Sequence, residues 1–263
     1  MSPLELLENK PTSIKNEKQA ILLVHGMWGG AWCWEPYFLP YLEELGYKAY
    51  AVSLSNHGNS PKRKNFNLLR IDDYVNDLKE TIDRIGGSPI LVGHSMGGFI
   101  VQKYLENHEA AGAILLAPVP PFGVWGGTIN VLKKFPLAFL KGNILINLIH
   151  IVNSPERFKY ILGSDNVKEK DIEEGLEKIC SESMLAYIDM LGMNLVKHRK
   201  INSPLLAIRG SVDHAISEKV FHKTCEQYGV SPITFKGMGH NLMIEPDYKL
   251  VVNKMVEWID GLR

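Results

Sequence analysis

The chain has 263 residues, enough for one large domain or two small ones around a substantial core. Its 29 Lys and Arg balance its 29 Asp and Glu, so no net field draws it toward nucleic acid or an acidic surface, and no nucleic-acid partner is expected. Three scattered cysteines, Cys33, Cys180 and Cys225, are too few for a disulfide scaffold or a zinc cluster and fit a reducing, cytoplasmic location.

The opening stretch MSPLELLENK leans acidic and has no basic region followed by an apolar one, so no secretory leader is expected. Six short apolar runs rich in β-branched residues then recur: AILLVHG from Ala20, YKAYAVSL from Tyr47, PILVGHS from Pro89, AGAILLAP from Ala111, PLLAIRG from Pro204 and SPITFKG from Ser231. Their length of four to eight residues predicts buried strands. Helical periodicity lies between them, clearest at Ile71, Val75, Leu78, Ile82 and Ile85, and again at Val251, Val252, Met255, Val256 and Ile259. Strand and helix in alternation predict right-handed βαβ units: an α/β fold with a mostly parallel sheet and helices on both faces. Ligands of such sheets gather at the carboxyl ends of the strands.

The alternation fails between Val119 and Lys200, which reads as helices without a strand. A helical cap at 119–200 inserted into a core domain of 1–118 and 201–263 is the expected organisation. Phe135 to Val152 is the most apolar segment, but Lys141, Gly142, Asn143, Asn147 and His150 interrupt it, so no membrane insertion is expected. Ile144, Leu145, Leu148, Ile149 and Val152 are read as one apolar stripe. Two uses are open for it: packing on the core, or lining a pocket as a lid.

Chemistry concentrates at the strand ends. In GHSMGG, a G-x-S-x-G pattern between a strand and a helix predicts a sharp turn that lifts Ser95 into a cleft, with Gly93 and Gly97 where side chains would strike backbone. The backbone N–H of Met96, opening the helix, would face an oxyanion beside Ser95. A serine hydroxyl is a weak nucleophile at neutral pH, so it needs a base and the base an orienting carboxylate. Asp213 follows PLLAIRG and His240 follows SPITFKG, each beyond the carboxyl end of its strand. His94 is read as a packing residue, His214 as a decoy beside Asp213, and Asp189 as a poorer acid because it lies in the helical insertion. The loop after AILLVHG supplies Met27 as second oxyanion donor, with His25 a buried, hydrogen-bonded loop residue. Trp28, Trp32 and Trp34 stand there as core or pocket wall.

No H-E-x-x-H, G-x-x-x-x-G-K-[ST] or G-x-G-x-x-G pattern occurs, so neither a metal nor a nucleotide cofactor is expected. His25-Gly26 with Met27, SNHGNS from Ser55, GHSMGG, RGSVD and GMGH stand in the order that resembles the α/β-hydrolase superfamily over nearly the whole chain. GHSMGG and HNLMIEPD are similar to segments of bacterial carboxylesterases and of lysophospholipase-like or monoacylglycerol-lipase-like members. Gly30 to Trp34 is also similar to plant hydroxynitrile lyases and methylesterases, although Asn241 stands where the lyases carry a lysine. The resemblance implies a small-molecule ester substrate, acylation of Ser95 and hydrolysis by a water that His240 activates. A thioesterase, a carbon–carbon-bond hydrolase or a small-molecule receptor would share the machinery. Up to Pro155 the insertion offers only Lys133, Lys134 and Lys141 as charges, with Arg157 and Arg199 further on in no readable arrangement, which favours an apolar ester over a dienol acid.

Overall fold

The computed structural model describes residues 3–12 and 19–262; Met1 and Ser2 of the opening stretch lie outside them. Seven strands form one sheet: β1 (Leu6–Glu8), β2 (Ile21–Val24), β3 (Ala49–Val52), β4 (Ile90–His94), β5 (Gly112–Leu116), β6 (Leu205–Gly210) and β7 (Pro232–Phe235), in the order β1-β3-β2-β4-β5-β6-β7. Six of them are the six runs anticipated from sequence. β2 through β7 are parallel, and β1 pairs antiparallel with β3, Leu7 opposite Ala51. The central strands β2, β4 and β5 are buried at every position, which explains why their sequences are continuous apolar runs rather than alternating ones.

Helices α1 (Phe38–Glu44), α2 (Ile71–Ile85) and α3 (Met96–Tyr104) come in the first half. Five more, α4 (Trp125–Lys134), α5 (Pro136–Ile144), α6 (Pro155–Leu162), α7 (Glu169–Lys178) and α8 (Met184–Ile188), fall between β5 and β6, where no strand occurs among the described residues. α9 (Glu218–Tyr228) and α10 (Tyr248–Asp260) complete the chain. Two glycines show that both sheet faces are covered. Gly112 is in register with Ile90, and a Cβ there would meet Trp258 at 2.9 Å beside α10. Gly93, three residues after Ile90 and so on the other face, would meet the Gly97 carbonyl of α3 at 2.5 Å.

β2 lies between β3 and β4, so the chain leaves β2 to one side and returns to the other. This reversal opens a crevice at the carboxyl ends of β2 and β4. The loops that enter it carry Met27 and Ser95.

The apolar stripe expected over residues 144–152 is divided. α5 stops at Ile144, Asn147 N–H bonds the Gly142 carbonyl at 2.8 Å, and Ile146 takes a left-handed φ of 50°. That turn leaves Ile144 and Leu145 exposed while Leu148 and Val152 are buried. One helix could not have done both.

Candidate active site

Ser95 occupies the corner between β4 and α3 with φ 52° and ψ −117°, a conformation costing a non-glycine residue roughly 1–3 kcal/mol and held by what surrounds it. Its N–H bonds the Leu116 carbonyl at 3.0 Å, and its own carbonyl accepts from Phe99 and Val119. The corner is also sterically closed. A Cβ on Gly97 would lie 2.3 Å from the Val24 carbonyl oxygen, and one on Gly26 would lie 2.8 Å from the Ser95 Cβ. The two loops therefore approach as closely as backbone permits, which fixes Met27 relative to Ser95. Neither the Met27 nor the Met96 N–H has a hydrogen-bond partner among the described residues.

His240 Nε2 lies 2.9 Å from Ser95 Oγ, and His240 Nδ1 lies 2.8 Å from Asp213 Oδ2. The other carboxylate oxygen of Asp213 accepts from the N–H groups of Ala215 and Ile216, both at 2.8 Å, so the loop after β6 fixes the carboxylate's plane. With Nδ1–H donating to that carboxylate, Nε2 is the bare nitrogen and accepts from the serine hydroxyl. All three side chains are buried. Ser95, Asp213 and His240 are thus brought together from three strand ends.

The loop carrying His240 is anchored by residues the sequence reading did not single out. Glu245 accepts from Gly239 N–H at 2.8 Å and from Ser164 Oγ at 2.7 Å. Burial raises the pKa of Glu245, and those two hydrogen bonds act against the rise. His94 does more than pack: its Nε2–H donates to the His240 carbonyl at 3.1 Å, and its ring centroid lies 4.8 Å from that of His240. Burial, and then the neighbouring His240, hold His94 well below the usual histidine range, so it is a neutral strut. His214 faces away, stacked on Tyr160 at 4.2 Å. Asp189 is buried against Arg70, with Nε to Oδ2 at 2.8 Å.

Behind the Met27 loop lie His25 and His57, ring centroids 4.9 Å apart. His25 Nδ1–H donates to the Gly26 carbonyl and its Nε2 accepts from Leu54 N–H; burial, then repulsion from His57, push it down to about 3. His57 takes the opposite course. Burial works against its charge, but Glu182 Oε2 at 3.0 Å and the neighbouring Cys180 together lift it well above the ordinary value. Glu182 belongs to the link between α7 and α8 and also accepts from Tyr74 OH at 2.8 Å, so a buried charged network ties the insertion to the core.

Above Ser95 is a cavity of about 70 Å³. Its walls are Met27, Trp28 and Ile216 from the core, and Val119, Val131, Phe139, Ile151, Ile161 and Leu162 from the insertion. No Lys, Arg, Asp or Glu lines it. Its polar feature apart from Ser95 and the histidines is a hydroxyl pair, Thr128 Oγ1 to Tyr187 OH at 2.8 Å, which no motif announced. Trp28 joins the cavity wall, while Trp34 is core against Phe38 and His94, and Trp32 is partly exposed near Lys178. No group of three or more His, Cys, Asp or Glu among the described residues is placed to hold a metal.

The sequence model of the alpha/beta hydrolase family matches residues 21–252, most of the chain. The chain belongs to that family. This chain is 39% identical over 94 residues to norfluorocurarine synthase 2 of Strychnos sp, and 38% identical over 87 residues to methylesterase 4 of Arabidopsis thaliana. The matched stretches span 35% and 32% of the chain and equal shares of those relatives, so each relative is matched over about a third of its length. Among solved structures, the monoacylglycerol lipase of Paleococcus ferrophilus aligns with a TM-score of 0.70 at 20% identity, covering 100% of both chains. An esterase from Exiguobacterium antarcticum gives 0.71 at 19% identity, covering 98% of this chain and 94% of the esterase. At such identities the likeness establishes the fold.

Proposed function

We propose that this protein is a hydrolase that cleaves carboxylic esters through a covalent acyl-enzyme on Ser95, with residues 119–200 acting as a cap over the substrate. What carries the reading is the continuous hydrogen-bonded chain from Ser95 through His240 to Asp213 at 2.9 and 2.8 Å, opening onto an apolar cavity. The names of the methylesterase relatives point the same way.

Each group then has one task. Ser95 Oγ attacks the ester carbonyl carbon while His240 Nε2 takes the hydroxyl proton. The imidazolium so formed is held by Asp213, and the tetrahedral oxyanion is received by the N–H groups of Met27 and Met96, which have no other partner among the described residues. His240 returns its proton to the departing alkoxide, releasing an alcohol and leaving an acyl ester on Ser95. A water then enters, His240 removes its proton, and the hydroxide displaces Ser95 Oγ, which recovers the proton. The products are an acid and an alcohol. No cofactor takes part in this cycle.

The walls set the substrate class. A cavity without a charged side chain offers nothing to hold a dienol acid, which favours ester over carbon–carbon-bond cleavage. At about 70 Å³ it is near half the size of one that accepts benzene, roughly 150 Å³, so a short acyl or alkoxy group fits without movement of the cap. The test is hydrolysis of p-nitrophenyl esters from acetyl to palmitoyl by the wild type and by Ser95→Ala. We expect the short esters to turn over fastest and the variant to lose on the order of 10⁴-fold or more. Turnover that survives in Ser95→Ala would overturn the mechanism. Absence of turnover across the series, with tight binding of a small ligand, would replace it by the receptor reading.

A further inference from the structure

The helices that roof the cavity are apolar on a second side as well. Trp125, Ile129 and Leu132 recur at i, i+4 and i+7 along α4, and all three are exposed. Leu137, Leu140 and Ile144 recur at i, i+3 and i+7 along α5 and are exposed too, Leu137 by 82% and Ile144 by 75%. Leu145 and Ile146 extend this patch past the end of α5. The inner side of the same pair, represented by Val131 and Phe139, faces the cavity. A helix that is apolar beyond its core-facing stripe has a second apolar medium to meet.

Charge decides which medium. From Val119 to Pro155 the sequence has no Asp or Glu, and the cations of the helix pair, Lys133, Lys134 and Lys141, are exposed beside the apolar residues. Lys134 leans over the Tyr160 ring, whereas Lys133 and Lys141 have no ion-pair partner among the described residues. A second copy of this chain seated on the patch would bring these like charges together, which is unfavourable. An anionic lipid surface accepts both the side chains and the charges, with the aliphatic lysine stems lying along the apolar region and the ammonium groups at the phosphates. No helix among the described residues is long and apolar enough to cross a membrane, so the contact would be interfacial.

We infer that α4 and α5 form a docking surface for anionic lipid bilayers, holding the roof of the cavity at the membrane–water boundary. The inference does not depend on the ester reading.

Flotation with vesicles tests it directly. The protein is expected to float with vesicles of phosphatidylcholine mixed with phosphatidylglycerol. Each lysine near an anionic leaflet is worth roughly fivefold in affinity, so the double variant Lys133→Gln/Lys141→Gln should bind about 25-fold more weakly, and vesicles of phosphatidylcholine alone, which forgo all three lysines, about 100-fold more weakly. Leu137→Asp/Ile144→Asp should abolish flotation while the thermal midpoint stays unchanged, because both side chains are exposed. Absence of wild-type flotation, or equal flotation of the Asp double variant, would overturn the inference. So would a wild-type dimer in sedimentation velocity that this variant converts to monomer, which would give the surface to a second copy.

Discussion

The floor of the site and its roof are built on different principles. In the floor, backbone meets backbone: the loops after β2 and β4 touch at Gly26 and Gly97, and Gly210 leaves room only for the carbonyls of Met238 and Gly239, 2.2 and 2.3 Å from where its Cβ would be. Such contacts tolerate no relaxation, and they place Ser95, His240 and the Met27 and Met96 N–H groups in one fixed relation. The roof is made of side chains instead. Val131, Phe139 and Ile161 close the cavity by packing, while polar ties such as His57 to Glu182 and Arg70 to Asp189 fasten the later part of the insertion to the core. On the proposed reading this is a division of labour: chemistry sits where the backbone is over-determined, and substrate choice sits where side chains can repack.

The sharpest way to break that division is at the carboxylate of the floor. Asp213→Asn preserves shape, and its amide still receives the Ala215 and Ile216 N–H groups through its oxygen, but the amide nitrogen would then face His240 Nδ1 and favour the wrong tautomer. We expect ester turnover to fall by about 10⁴-fold, with urea unfolding nearly unchanged. A loss that instead followed global stability would mean that Asp213 holds the fold rather than His240.

The roof should show the converse. Glu182→Gln leaves buried His57 without its counter-charge, and removing one member of a buried pair costs about 3–5 kcal/mol. Urea unfolding should register that loss near neutral pH, while turnover of a small soluble ester per folded molecule changes little. The pH dependence fixes the cause. The folded protein holds the His57 proton well above the ordinary 6.5, so the stabilisation is complete below that pH and is lost as pH rises through the folded-state value. The gap between wild type and variant must therefore narrow on the alkaline side. A gap independent of pH would show that Glu182 stabilises by accepting from Tyr74 OH and from the Ser183 N–H rather than through the ion pair.

The same division explains what was legible in the sequence. Floor residues announce themselves because each one needed follows its own strand: Ser95 after β4, Asp213 after β6 and His240 after β7. Gly93 and Gly97 were readable because only close approach accounts for glycine on both sides of a serine. The roof gave no such signal. Glu182 meets a histidine 125 residues earlier, and Thr128 meets Tyr187 across 59 residues, with no spacing rule to link either pair. The apolar stripe of residues 144–152 misled because periodicity carries no notice of the left-handed turn at Ile146 that divides it. Strand β1 was missed for a related reason: three residues at a sheet edge, ending in Glu8, are too short to show alternation.

The smallest effect is the most discriminating test of the roof. Burial raises the pKa of Tyr187, so its hydroxyl is intact at neutral pH, paired with Thr128 in a wall that is otherwise apolar. If that pair meets the substrate, Tyr187→Phe removes one hydrogen bond, worth about 0.5–1.5 kcal/mol, and shifts selectivity by at most about tenfold. Turnover of esters with an unbranched alkyl acyl group should hold or improve. Esters whose acyl group carries a hydroxyl or ether oxygen should lose, chiefly in KM, because binding rather than the transition state is affected. The ratio of kcat/KM between two such esters measures this while cancelling differences in active fraction. An equal fall in kcat for both would place Tyr187 with Ser95 and His240, and the boundary between floor and roof would have to be drawn above it.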